Sequence, residues 1–201
     1  MDDVAKRVLM RRLHKAGVDV ANVTAGGGGL WCFGSRAVGC ERADSDWDVL
    51  VVTRAPALEH RRRCARLDLV NVQFDELDAW ASTELAAHIA VYGVRIDHGR
   101  EFTLRSIPTA AAPRKRTVVG GRAQTLDALW TGLQPKQRRR ETLRLRRDLH
   151  RAWLLTQGAA IPPTAALECE WRSSPLRARA TILDFIPLPR RIARAIAQSD
   201  D

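Results

Sequence analysis

Apolar residues in the first half of this chain are grouped in short runs whose lengths suit β-strands. These runs lie near residues 30–33, 47–53, 67–72 and 94–97. Helices are expected between them, including a compact one near residues 57–64 that joins the second strand to the third. This arrangement predicts a small mixed sheet with helices, which is an α+β architecture.

The remaining patterns are helical. A first helix is expected over residues 4–15, where apolar side chains form one stripe. In the second half, Leu145, Leu149 and Trp153 recur at every fourth position, with arginines on the other faces. The helices predicted for this half cover residues 123–133, 136–155, 175–185 and 190–198. We therefore expect an all-helical C-terminal region.

A segment between the two halves interrupts both kinds of pattern. Residues 106–118 contain two prolines, several alanines and a basic cluster, and proline and small residues are typical of connections. We interpret this segment as a linker. It separates a first domain over residues 1–105 from a helical, arginine-rich region over residues 119–201.

Candidate chemistry lies around the second predicted strand. Gly34 and Ser35 follow the first strand, and Asp46 and Asp48 begin the second. Side chains two apart on a strand project from the same face, and two crowded carboxylates repel each other unless a cation lies between them. Mg2+ and Mn2+ suit such oxygen ligands, and a Gly-Ser turn at a helix N-terminus suits phosphate groups. The pattern predicts a site for a metal and a triphosphate.

The same residues carry a resemblance to a known family. Gly34-Ser35-Arg36-Ala37, followed by Ser45-Asp46-Trp47-Asp48-Val49, resembles the signature of the nucleotidyltransferase superfamily, which has the fold of DNA polymerase β. More narrowly, it is similar to the minimal nucleotidyltransferases of bacterial toxin–antitoxin pairs and resistance enzymes. The resemblance covers about residues 1–100. The family needs a third carboxylate on a neighbouring strand, and Asp68 takes that place here.

The resemblance implies a nucleotidyltransferase core in residues 1–105 and a reaction for it. An NMP would move from an NTP to an acceptor hydroxyl, and pyrophosphate would be released. The implied catalytic residues and ligands of two Mg2+ (or Mn2+) ions are Asp46, Asp48 and Asp68. The residues implied to bind the nucleotide phosphates are Gly34, Ser35, Arg36 and Ser45.

Each candidate also has a plainer interpretation. Asp46 and Asp48 could flank a turn, and Asp68 could face water on an edge strand. Arg36 could be a solvated side chain, and Ser45 could cap a turn. A module that keeps the fold and binds nucleotide or nucleic acid without catalysis remains an alternative of another class.

Charge is divided unevenly along the chain. Residues 1–108 hold 15 lysines and arginines against 15 acidic residues, whereas residues 109–201 hold 18 against 8, so the second half carries the whole formal net charge of +10. A clustered basic face attracts phosphate backbones. The charge therefore favours RNA, such as tRNA, as the acceptor, and a solvated helix face is the plainer interpretation of the same basic residues. A protein acceptor in a toxin–antitoxin pair and a small molecule such as an antibiotic are the alternatives, and the former would make a cognate toxin or antitoxin the partner.

No targeting pattern changes this interpretation. The chain has no apolar run of about eighteen residues, and its acidic N-terminus leads into an amphipathic helix. We therefore expect a cytoplasmic protein with no membrane partner.

Overall fold

The computed structural model describes residues 1–54, 61–64, 66–99 and 102–199 of the chain. Within these residues there are nine α-helices and five β-strands. The chain divides into two compact units, Met1–Ser106 and Ile107–Asp201. The first unit has an α+β architecture and the second is helical in the part described, so the coarse fold prediction is confirmed.

The first unit is built on one mixed five-stranded sheet. Its strands are β1 (Gly29–Phe33), β2 (Trp47–Thr53), β3 (Arg61–Cys64), β4 (Leu67–Gln73) and β5 (Val94–Arg95). The spatial order is β3-β4-β2-β1-β5, in which β2 and β4 are parallel and the other neighbours are antiparallel. The parallel pair brings the N-terminal ends of β2 and β4 to the same edge of the sheet.

Apolar side chains cover both faces of this sheet. The helices of the unit are α1 (Asp3–Lys15), α2 (Val20–Ala25), α3 (Leu77–Ala81) and α4 (Glu84–Tyr92). Leu9 and Leu13 of α1 pack on the face that carries Val49, whereas Ile89 of α4 packs on the face that carries Leu50. Because strand side chains alternate between faces, a strand buried on both sides must be apolar at successive positions. This explains the continuous apolar run of β2.

The second unit is a helical cluster around its own core. Its helices are α5 (Pro108–Leu129), α6 (Pro135–Thr156), α7 (Thr164–Ser173), α8 (Leu176–Asp184) and α9 (Arg190–Ala197). Leu145 and Leu149 of α6 are fully buried, and they belong to the same core cluster as Val119 of α5, Trp171 of α7 and Ile192 of α9. Across the described part of the chain, no helix is long and apolar enough to cross a membrane.

Three sequence predictions about secondary structure are wrong. Residues 61–64 form strand β3 rather than the end of a helix, while residues 57–60 of that predicted helix lie outside the described residues. Most of the predicted linker, 106–118, belongs to α5, which continues through Pro113 with Ala111 and Ala112 buried. A proline inside a helix removes one backbone hydrogen bond, and burial of the helix outweighs that loss here. Helix α7 was not predicted.

Candidate active site

Three carboxylates converge at one edge of the sheet. Asp48 is the second residue of β2 and Asp68 the second residue of β4, and the two are direct partners in the parallel register. Asp46 lies just before β2, two residues from Asp48. The carboxylates differ in exposure, because Asp46 is exposed, Asp48 is half-buried and Asp68 is 4% exposed. The structure thus pairs two of the three residues that the sequence assigned to the metal, Asp48 and Asp68, and has the third, Asp46, two residues from Asp48 along the chain.

Gly34 lies against this group. It follows β1 directly and adopts φ +71°, in the left-handed region that favours glycine. A Cβ atom at this position would overlap Oδ2 of Asp48. A side chain here would therefore displace the Asp48 carboxylate, which explains why glycine is the residue that follows β1.

Ser35 begins a series of turns rather than a helix. Residues 35–39 are in turns, the backbone N–H of Cys40 donates to the carbonyl oxygen of Ser35 at 2.9 Å, and Gly39 has φ +70°. The expected helix N-terminus beside Ser35 is therefore wrong. Ser35 is half-buried and next in sequence to Gly34, so it lies at the same edge of the sheet as the carboxylates.

Arg36 and Ser45 hold the loop that precedes β2. The Arg36 guanidinium donates to the Ser45 carbonyl oxygen from Nε at 3.1 Å and from Nη2 at 2.8 Å, and it lies over the Trp47 ring at 4.5 Å. The Ser45 hydroxyl oxygen accepts the backbone N–H of Arg42 at 2.8 Å. Both side chains therefore shape the backbone on either side of Asp46.

Asp68 has two partners that the sequence analysis did not identify. Arg61 donates from Nε to Oδ1 at 2.9 Å and also pairs with Oδ2, and Arg63 Nε donates to Oδ2 at 3.3 Å. Both arginines lie on β3, whose Arg63 is paired in register with Asp68. A strand assignment for residues 61–64 would have revealed them, because it places Arg61 and Arg63 on one face and Arg62 on the other.

The pKa values of the paired carboxyls move in opposite directions. Burial, followed by the charges of Asp68 and Asp46, raises the pKa of Asp48 to about 6. The hydrogen bond from Arg61 holds the pKa of Asp68 below its usual range, although burial opposes this shift. Asp68 is therefore compensated within the protein, whereas Asp48 retains an unfavourable environment for its negative charge.

A second buried carboxylate in the same unit has a structural role. Asp97 accepts the backbone N–H of Leu30 at 2.6 Å and that of Gly99 at 2.8 Å, and it pairs with Arg95 at 2.8 Å. Burial alone would raise the pKa of Asp97, but these hydrogen bonds lower it. Arg95 and Gly99 are near Asp97 in the sequence, but the bond from Leu30 depends on the pairing of distant segments, which no local pattern indicates.

The oxygen donors of this site are of the kind that a divalent cation prefers, but in this conformation not all three carboxylates are free to bind one. Asp46 and Asp48 offer hard oxygen donors of the kind that Mg2+ prefers, and a cation beside them would relieve the repulsion that raises the pKa of Asp48. Asp68 is engaged by Arg61 and Arg63. Among the residues that the structure describes, no group of three or more His, Cys, Asp or Glu side chains is arranged to hold a metal. Asp46 and Asp48 are therefore the first candidates for ligands, and Asp68 would join them only after releasing Arg61.

Comparisons with known proteins add no relative to this picture. A scan against protein-family models finds no match to the chain, and a search of curated proteins finds none either.

Proposed function

We propose that the chain is a metal-dependent nucleotidyltransferase that moves an NMP from an NTP to an acceptor hydroxyl and releases pyrophosphate. The observation that carries this proposal is the in-register pairing of Asp48 with Asp68 on adjacent parallel strands, beside a glycine that leaves room for the Asp48 carboxylate. Sheets do not normally place two carboxylates side by side, because like charges repel. Binding of a cation and of phosphate groups would explain why the two carboxylates are adjacent.

Each residue then has a role. Asp46 and Asp48 would hold Mg2+ or Mn2+, of which the related family uses two, and such ions neutralise charge on the phosphates and activate the acceptor hydroxyl. The Gly34 backbone and Ser35 would contact the triphosphate, because they lie beside Asp48 without a bulky side chain between. Arg36 and Ser45 would act indirectly, since their contacts shape the loop that carries Asp46.

Asp68 is suited to positioning. Its ion pairs with Arg61 and Arg63 lower its pKa, so it is ionised at neutral pH and is a weak base. Its role would be to orient the acceptor hydroxyl or to complete the cation site after Arg61 moves away. Phosphoryl transfer needs mainly such positioning and charge stabilisation from the protein. The new bond joins the acceptor oxygen to the α-phosphorus, the α–β phosphoanhydride bond breaks, and the hydroxyl proton passes to solvent.

RNA is the acceptor that the charge distribution favours. The catalytic unit is neutral, whereas the second half carries the net charge of +10, and a polyanionic acceptor would be attracted to such a surface. Transfer to a protein, with a cognate toxin or antitoxin as partner, and transfer to a small molecule such as an antibiotic are the alternatives within the same activity.

One observation favours a second candidate of another class. Because Arg61 and Arg63 already neutralise Asp68, the site is partly satisfied without a metal. A non-catalytic module that binds nucleotide or nucleic acid would show this property.

The test is a transfer assay with each α-labelled NTP in turn. Purified protein is incubated with Mg2+ or Mn2+ and with total tRNA, a cell lysate or no acceptor. We expect label on RNA, and we expect Asp46→Asn/Asp48→Asn to lower transfer by at least about 100-fold, the scale of losing electrostatic stabilisation of a transition state. The matched control is Asp44→Asn/Asp75→Asn, which removes the same charge from exposed positions and should retain activity.

The other outcomes separate the candidates. Label on a lysate protein would replace RNA with a protein acceptor. NTP binding without transfer to any acceptor would favour the non-catalytic module. Equal transfer by the wild type and by Asp46→Asn/Asp48→Asn would show that the assignment of the carboxylates is wrong.

A further inference from the structure

The helical unit contains a basic cleft between α6 and α7, with a volume of about 410 Å³. Apart from Leu143 on α6, its lining is charged, and we call it the α6–α7 cleft. The charged lining residues are Lys136, Arg139, Arg140, Arg147, Glu168 and Arg172. On α6, Arg139 and Arg140 lie three and four residues after Lys136, and Arg147 lies seven residues after Arg140, so each shares a side of the helix with at least one of the others. On α7, Glu168 and Arg172 are four residues apart and share a face in the same way.

The single carboxylate of the cleft, Glu168, offsets only one of the cations that line it, Arg147. Glu168 pairs with Arg146, which is 2% exposed, and lies 3.6 Å from Nε of Arg147. Its negative charge is therefore used in holding these two arginines.

Four exposed cations remain without a partner in the described part of the chain, and these are Lys136, Arg139, Arg140 and Arg172. Other cations of the unit behave differently, since Lys115 and Arg122 pair with the buried Asp148, and Arg191 lies 3.7 Å from Asp127. The cleft thus brings onto one concave surface four exposed cations that have no acidic partner among the described residues.

We infer that the α6–α7 cleft binds the phosphate backbone of an RNA. Three of the four free cations are arginines, whose planar guanidinium groups match phosphate oxygens. The α6 stripe from Lys136 to Arg147 spans eleven residues, or about 16 Å along a helix axis, so it can contact more than one phosphate. The choice of RNA over another polyanion rests on the proposed function, because an RNA acceptor would need a binding surface of this kind.

The cleft also predicts how the RNA is recognised. Its lining includes no aromatic side chain, whereas proteins that read unpaired bases stack them on aromatic rings. Contacts would therefore fall on phosphates and not on base edges. Binding should depend strongly on salt and weakly on sequence.

The test measures binding of the full chain to a fluorescently labelled RNA hairpin, by anisotropy, over a series of salt concentrations. The cleft variant is Arg139→Gln/Arg140→Gln/Arg172→Gln. The matched control is Arg177→Gln/Arg190→Gln/Arg194→Gln, which removes three exposed arginines outside the cleft. Losing three phosphate contacts should reduce the slope of log affinity against log salt by about 2 to 3, and affinity by at least about tenfold at low salt. The control should keep the wild-type slope.

A conservative variant guards against a folding artefact. Arg139→Lys/Arg140→Lys/Arg172→Lys keeps the three charges and should retain most of the salt slope. Equal losses in the cleft variant and the control variant would overturn the inference, because the effect would then come from net charge. Binding to anionic lipid vesicles without binding to the hairpin would overturn it as well.

This result is separable from the proposed catalysis. Asp46→Asn/Asp48→Asn leaves the lining of the α6–α7 cleft intact, so adding the cleft substitutions in this background should reduce the salt slope as much as in the wild type. Cleft-dependent RNA binding together with a failure to transfer nucleotide would support the cleft and reject the transferase proposal. Nucleotide transfer to RNA by the wild type, together with unchanged hairpin binding in the cleft variant, would support the transferase proposal and reject the cleft as the RNA-binding site.

Discussion

Two aspartates show how differently the two units treat a carboxylate. Asp148, on α6, is 7% exposed and has three cations around it, namely Lys115 at 3.0 Å, Arg151 at 3.7 Å and Arg122. Asp48, on β2, lies near Asp46 and Asp68, and its burial, followed by their charges, raises its pKa to about 6 although Arg61 and Arg63 oppose this shift. The helical unit balances its internal charge and leaves cations on its surface. The sheet unit has no net charge but concentrates negative charge at one edge. The net charge of a unit therefore does not predict where a ligand could bind to an unneutralised charge, because that depends on the neighbours of each charged group.

The largest expected effect comes from removing the compensated carboxylate. Asp148→Ala would leave Lys115, Arg122 and Arg151 without their shared partner, and breaking a buried ion pair costs about 3 to 5 kcal/mol. We expect a loss of this size in the free energy of unfolding of the helical unit. Because a chain of two units need not unfold in one step, the measurement is hydrogen exchange by peptide across a denaturant series.

The control for this change is Asp184→Ala, which removes an exposed aspartate from α8. It should shift the unfolding free energy by no more than about 0.5 kcal/mol. If Asp148→Ala behaved like this control, the three ion pairs would not support the helical unit.

Removing the carboxylate of Asp48 should instead raise the free energy of unfolding. Asp48→Asn abolishes the repulsion with Asp46 and Asp68, and the raised pKa corresponds to about 1 to 3 kcal/mol once partial exposure is allowed for. We expect the variant to be more stable than the wild type at pH 8 in the presence of EDTA. Adding Mg2+ should raise the melting temperature of the wild type and leave that of the variant unchanged.

The pH dependence of this gain follows from linkage. The carboxyl of Asp48 has a pKa of about 6 in the folded protein and a value of 3.8 without the fold, so the folded state keeps the proton more tightly. The free energy of unfolding of the wild type therefore falls as pH rises from about 4 through about 6, because the unfolded chain gives up this proton at a lower pH than the folded state does. The advantage of Asp48→Asn should therefore be largest above pH 6 and disappear near pH 4. A gain that did not change with pH would exclude carboxylate repulsion as its cause.

The smallest effect is expected at His150, where stability should decrease as pH falls rather than as pH rises. This side chain is 3% exposed, its Nδ1 has no hydrogen-bond partner in the described part of the chain, and burial lowers its pKa. The unfolded chain takes up a proton near pH 6.5 that the folded unit resists, so stability should fall as pH drops below about 6.5. The slope should not exceed about 1.4 kcal/mol per pH unit.

His150→Gln removes this titration. Unfolding of the helical unit measured between pH 7 and pH 5 should therefore give a flatter dependence in the variant than in the wild type. His14→Gln, at an exposed position on α1, should reproduce the wild-type slope. A variant slope equal to that of the wild type would assign the acid sensitivity to other groups.

The elements that sequence analysis predicted well are those whose pattern is local. The apolar runs of β1, β2 and β4 and the helical repeat of α6 need no knowledge of distant residues, and the structure has them within one or two residues of the expected bounds. Strand β3 was missed because Arg61, Arg62 and Arg63 form a polar run. Its strand conformation depends on pairing with β4, which no local pattern encodes.

In the candidate site, too, local patterns could be predicted and contacts between distant residues could not. The motif predicted Asp46 and Asp48 on one face of a strand, because strand geometry has a period of two, and Gly34 at a turn; the structure has Gly34 at φ +71° and begins β2 after Asp46. Arg61 and Arg63, by contrast, reach Asp68 across a strand pairing that the sequence did not show. The same holds for Arg36, whose contact with the Ser45 carbonyl oxygen depends on a loop conformation.

The sequence by itself determined the class of fold, the division of charge between the halves and the three aspartates with their adjacent glycine. These properties follow from composition and from short-range periodicity. Only the tertiary structure decided that two arginines bind Asp68 while burial and neighbouring carboxylates raise the pKa of Asp48, and that four exposed cations of α6 and α7 line one cleft. Electrostatic environment depends on distances between groups far apart in the chain, and those distances exist only once the strands and helices have packed.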